Sequence, residues 1–262
     1  MNWIEVNGTS LRYELSGSGP STLVLVHEMG GTLDSWDQVL PALNNTRQVL
    51  RYDTRGAGLS EKIQGKVTFD DMADDLAALL DAIGIHGKVA LAGTAVGAAI
   101  AIHFAVHAAR TAALVVTSPA TGVAADRRQA TLDRATAAET KGMRSIAEAG
   151  IANSYPPEVR HNAEEFRKFR ARWLANDPQS FAAINRMLAD STVTDDVSRI
   201  ACPTLVVGCR QDRLRPPAAS KAIAESIPGA EYLEINSGHF AGIQTPGLVS
   251  QAFHGFLSAL GY

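Results

Sequence analysis

Four short segments each carry an unbroken apolar run, and this limits the available folds more than any other feature. They are "STLVLVHE" (21–28), "RQVLRYD" (47–53), "KVALAG" (88–93) and "AALVVTSP" (112–119). A strand with one wet face alternates apolar and polar residues; one without alternation is buried on both faces, as in a parallel sheet covered by helices. Two further runs, within "CPTLVVGCRQD" and "AEYLEINSGH", each precede a helical pattern. At the start, "WIEVNG" and "LRYELSG" flank the turn residues of "NGTS" and predict a hairpin. The expected class is α/β, with about eight mostly parallel strands flanked by helices.

Helices are expected between the strands. Thr68 reads as an N-cap, followed by Met72, Leu76, Leu79, Leu80 and Ile83 on one apolar stripe. Asp70, Asp71, Asp74 and Asp75 lie in the first turns, where negative charge suits the helix dipole, and read as a solvated start. Residues 121–200 contain no clear strand and read as several amphipathic helices. The division expected is therefore a core of 1–120 and 201–262 with a helical cap of 121–200, inserted after the sixth strand.

The charge balance narrows the partners. A net charge of −3 lacks the basic field that phosphate binding needs, so nucleic acid is not expected. No apolar run approaches the roughly 20 residues of a membrane span. The opening "MNWIEVNGTS" shows no basic stretch leading into an apolar one, so no signal peptide is expected. Cys202 and Cys209 have no metal-ligand spacing, and a reduced, cytoplasmic protein is the plain expectation. Cys209 reads as a buried small hydrophobe.

In "KVALAGTAVGAAIAIHFA" (88–105) a strand runs through a tight turn into a helix, with Ala95 at the apex. Asp212 follows the strand in "LVVGCRQ", and His239 follows "LEINSG". All three positions fall at carboxyl ends of expected strands, where open α/β sheets place their crevice. The order of elbow, acid and histidine resembles that of the α/β-hydrolases. Within that superfamily, "RYDTRGAGLS", "PTLVVGCRQDRLRPP" and "SGHFAGIQTP" are similar to blocks of the 3-oxoadipate enol-lactone hydrolase group, and "VHEMGGTLDSWDQVLPAL" matches its oxyanion-loop layout.

The resemblance implies hydrolysis of a small ester or lactone, such as a carboxylate-bearing ring catabolite, without cofactor or metal. It gives His239 the proton transfer, Asp212 its orientation, and the Met29 and Val96 amides the oxyanion hole. Cleavage of a C–C or amide bond on the same machinery is the alternative. Two positions depart from the pattern. Glu28 stands where small residues are usual, either facing solvent or reading a polar substrate group. Ala95 stands where the resembled group has serine. The expected reading of Ala95 is a Ser→Ala form of a serine hydrolase, inactive or strongly impaired for want of its nucleophile. A second follows from "LAGTAVGAA", which resembles the elbow of the aminoacrylate hydrolase of pyrimidine breakdown; there alanine is natural and His239 activates water. A third is a small-molecule receptor without catalysis.

Other candidates read as follows. His27 braces the oxyanion loop, and the Asp-Thr-Arg-Gly of residues 53–56, Asp53 included, makes structural bonds under the sheet's carboxyl end. His103 and His107 sit four apart on one helix face, but no third ligand lies at suitable spacing, so packing is expected. Of the arginines in 121–200, Arg186 is the candidate clamp for a substrate carboxylate. Trp173 and Tyr155 are candidate pocket walls. The partner expected is a small molecule, with a homo-oligomer left open.

Overall fold

The computed structural model describes residues 2–262. Eight strands form one sheet in the order β1-β2-β4-β3-β5-β6-β7-β8. The antiparallel strands are β1 (Asn2–Val6) and β2 (Thr9–Ser16), with β2 also antiparallel to β4 (Gln48–Tyr52). The rest run parallel: β3 (Thr22–Val26), β5 (Val89–Thr94), β6 (Thr111–Thr117), β7 (Thr204–Cys209) and β8 (Glu231–Ile235). Every residue of β3, β5 and β7 is buried, as their unbroken apolar sequences require, whereas the edge strands β1 and β8 are mostly exposed.

Helices cover both faces: α1 (Leu40–Leu43), α2 (Phe69–Ala82) and α3 (Val96–His107) come before β6. Between β6 and β7 lie α4 (Ala125–Lys141), α5 (Arg144–Ser154), α6 (Ala163–Leu174), α7 (Pro178–Asp190) and α8 (Thr194–Val197). The chain closes with α9 (Pro217–Ser226), α10 (Ala241–Gln244) and α11 (Pro246–Ala259). No helix among the described residues is long and apolar enough to cross a membrane.

α2 starts as its sequence predicts. Thr68 caps the Asp71 amide while the Asp71 carboxylate returns to the Thr68 amide, a reciprocal capping box. The acidic cluster is not uniformly solvated, however. Asp75 falls three residues after Met72, hence on the inward face, and is buried against the Arg55 guanidinium with contacts of 2.8 and 2.7 Å. Asp70 accepts from His103 on α3.

Asp53, just past β4, ties three segments together. Its Oδ1 accepts the Leu33 amide at 2.7 Å. Its Oδ2 accepts the Leu59 amide at 2.8 Å and the buried Arg12 guanidinium at 3.2 Å. This is the structural role its sequence context predicts. Replacing Asp53 with alanine removes the acceptor for two loop amides and half the pairing of Arg12. The expected loss is about 3–5 kcal/mol, read from urea unfolding at neutral pH.

Candidate active site

The elbow is built by contacts too close for a side chain. A Cβ on Gly93 would lie 2.4 Å from the Gly97 carbonyl oxygen, and one on Gly97 would lie 2.3 Å from that of Val26. The start of α3 is thereby pressed onto β3 and β5. Between the glycines, Ala95 has φ 53° and ψ −114°, a sparsely populated conformation that costs a non-glycine residue about 1–3 kcal/mol. Three bonds hold it: its amide donates to the Thr117 carbonyl at 3.0 Å, and its carbonyl accepts from Ala99 at 3.2 Å and Ala120 at 3.1 Å.

Asp212 and His239 meet as expected. His239 Nδ1 donates to Asp212 Oδ2 at 2.7 Å, and both residues are buried. The amides of Leu214 and Arg215 occupy Oδ1 at 2.8 and 2.9 Å, so one oxygen is held by backbone and the other by imidazole. Burial pushes the Asp212 carboxyl up, but the His239 charge and hydrogen bond, with the Arg215 amide, outweigh it and hold the group below the usual carboxylate range. The opposite ring nitrogen of His239 makes no hydrogen bond among the described residues and is free to handle a proton.

Met29 and Val96 line one cleft, together with Gly30, Thr54, Phe181 and Ile184. Among the described residues, neither the Met29 nor the Val96 amide has a hydrogen-bond acceptor, which suits donors aimed at a developing oxyanion. His27 braces this loop. The Thr54 amide donates to His27 Nε2 at 3.0 Å, so Nδ1 carries the proton and donates to the Glu28 carbonyl at 2.8 Å.

Other sequence candidates fall elsewhere. Glu28 faces neither solvent nor the cleft: it is 3% exposed and its Oε1 accepts from Ser35 Oγ at 2.8 Å. Arg186 is no clamp here, because its guanidinium pairs with Glu139 of α4 at 2.5 Å. Phe181 and Ile184 are three apart and share the cleft face of α7, which turns Arg186 away from it. Tyr155 packs among Phe166 and Phe169, a cluster that reaches Phe240 beside His239, and does not line the cleft. Trp173 comes closer; its indole would lie 3.1 Å from a Cβ on Gly30. Asn176, which sequence reasoning missed, lines the cleft and donates to the Gly30 carbonyl at 3.0 Å. Nothing local marks it, since its role depends on where α6 ends over the loop. Cys209 is fully buried on β7 and, like Cys202, free.

The expectation that His103 and His107 lack a third ligand is corrected. Asp196 of α8 lies against both, at 2.8 Å from His103 Nδ1 and 3.0 Å from His107 Nε2. A residue so far along the chain is invisible to local spacing.

An eight-stranded sheet of this order, with a strand–helix elbow and an acid–histidine pair that follow carboxyl ends of its strands, defines an α/β-hydrolase. The chain belongs to the family described as serine aminopeptidase S33, which its residues 19–236 match. It is 29% identical to RutD of Azorhizobium caulinodans, provisionally named a carbamate hydrolase, with 94% of each chain covered. It is 24% identical to 3-oxoadipate enol-lactonase 1 of Acinetobacter baylyi, covering 97% of this chain and 95% of the relative. A thermophilic esterase from Thermogutta terrifontis, solved with malate bound, superposes with a TM-score of 0.92 at 28% identity, covering 99% of each chain.

The Asp212 shift has a defined sign. A carboxyl held low in the folded state stabilises the protein above its unfolded pKa of about 3.9, and that contribution fades as pH falls through the folded value. Asp212→Asn is therefore expected to be less stable than the parent at pH 7, with the gap closing below pH of about 4 in urea titrations. Parallel curves at all pH values would refute the assignment.

Proposed function

We propose that this chain hydrolyses a small, carboxylate-bearing ester or enol-lactone without a cofactor, with His239 activating water in place of a nucleophilic side chain. The observation that carries this reading is an intact Asp212–His239 pair and two unpaired amides in a fold whose elbow apex, Ala95, has nothing to attack with. His239 takes a proton from water through its free nitrogen, and the hydroxide oxygen bonds to the carbonyl carbon. The resulting oxyanion is received by the Met29 and Val96 amides. Collapse breaks the bond to the leaving group, which recovers the proton from His239, while Asp212 steadies the imidazolium.

The lactonase and esterase likenesses support an acyl substrate, and malate in the esterase neighbour supports a carboxylate on it. The relative named for carbamate hydrolysis supports extending the class to carbamates. We place residues 121–200 as a lid over the cleft and the protein, with both thiols free, in the cytoplasm. A second reading is a serine hydrolase lacking only its hydroxyl. It is favoured by the strained elbow at Ala95, which has the shape that exposes a nucleophile.

Both are tested on a panel of activated esters, small lactones and carbamates. The water route expects measurable turnover by the chain as it stands, a loss of about 10²–10⁴ in kcat for His239→Ala, and little gain from Ala95→Ser. Burst acylation and a rise of several orders of magnitude in Ala95→Ser would establish the serine route instead. Tight ligand binding with no turnover in either form would make the protein a receptor.

A further inference from the structure

Outside the cleft, His103 and His107 of α3, Asp196 of α8 and Asp70 of α2 form one cluster. The two imidazoles stack at 4.2 Å between centroids. Asp196 Oδ2 lies 2.8 Å from His103 Nδ1, its Oδ1 lies 3.0 Å from His107 Nε2, and Asp70 Oδ1 lies 2.7 Å from His103 Nε2. Carboxylates only accept, so both nitrogens of His103 face acceptors, and each contact needs a proton or a cation between the two atoms. With Asp70 holding the Nε2 proton, the Nδ1 lone pair points at Asp196. This is the arrangement in which a metal-ligating histidine is oriented by an outer carboxylate.

The geometry points to a divalent-cation site, with Zn²⁺ the best match, formed by His103 Nδ1, His107 Nε2 and the Asp196 carboxylate, with Asp70 as the supporting acceptor. One ligand atom from each of the three residues can be chosen so that all lie within 4.8 Å of one another. Bond lengths of 2.0–2.2 Å put tetrahedral ligands about 3.4 Å apart, so the present contacts need open by only about half an ångström. Two imidazoles and one carboxylate favour Zn²⁺ over Mg²⁺ or Ca²⁺, which prefer all-oxygen shells. His103 and Asp196 are mostly buried, while the His107 side chain is 43% exposed and opens the site to solvent. Arg199 also contacts Asp196 Oδ1, at 3.1 Å, but is more than half exposed and can swing clear. Three ligands leave a fourth position for water. A bound ion would pin α8, the end of the helical insertion, to the helix that begins at the elbow.

The test uses the full chain, stripped with EDTA and titrated with Zn²⁺ at pH 7.5 against a chromophoric chelator, with thermal unfolding in parallel. The expected result is one ion bound per chain and a higher unfolding midpoint, with neither effect from Mg²⁺ or Ca²⁺. His107→Gln, a change at an exposed position, should abolish both effects, and Asp196→Asn should do the same. Asp70→Asn should retain binding weakened by about 10–100-fold. Absence of Zn²⁺ binding, or binding undiminished in His107→Gln, would overturn the site and leave a hydrogen-bonded network that joins α3 to α8.

Discussion

The close approach of α3 to the sheet is the constraint on which the rest depends. Gly97 meets the Val26 and His27 carbonyls with no room for a Cβ, and Gly93 meets Gly97 in the same way. That approach sets the elbow at the carboxyl ends of β3 and β5, where the loop carrying Met29 also begins. Asp212 and His239 arrive from β7 and β8, on the same edge of the same sheet. The site is thus a consequence of strand order and two glycines before any reactive group is considered.

The elbow's geometry belongs to the backbone and not to a nucleophile. Ala95 keeps a left-handed conformation because Thr117, Ala99 and Ala120 fix its amide and carbonyl. Strain of this kind persists where the surroundings over-determine it. A chain can therefore lose or never possess the attacking atom and still keep the histidine, the acid and both amides in register.

Legibility in the sequence followed the range of the interaction. Strands buried on both faces announce themselves by composition, and Asp212 could be placed because it follows one, whereas His239, after the mostly exposed β8, was legible through the likeness of "SGHFAGIQTP" to a known block. The capping box of Thr68 and Asp71 is equally local. What could not be read needed packing between distant segments. Asp75 turns inward because Arg55 waits there, Glu28 is occupied by Ser35, and Arg186 by Glu139. Asp196 reaches two histidines 93 and 89 residues before it. In the helical insertion, polar and charged positions outnumber clear periodic signals, so which face meets the cleft is settled only by how α6 and α7 lie on the core.

The contacts between the insertion and Gly30 bear on how such enzymes change. Asn176 holds the Gly30 carbonyl, and the Trp173 indole lies against the same residue, next to the Met29 amide. The helical insertion is therefore also part of the scaffold that holds the loop at Gly30. Exchanging residues 121–200 for those of another member would not be a swap of independent modules. A transplanted insertion would need to bring its own amide and its own flat aromatic face to that glycine, or the loop that carries Met29 would lose its support.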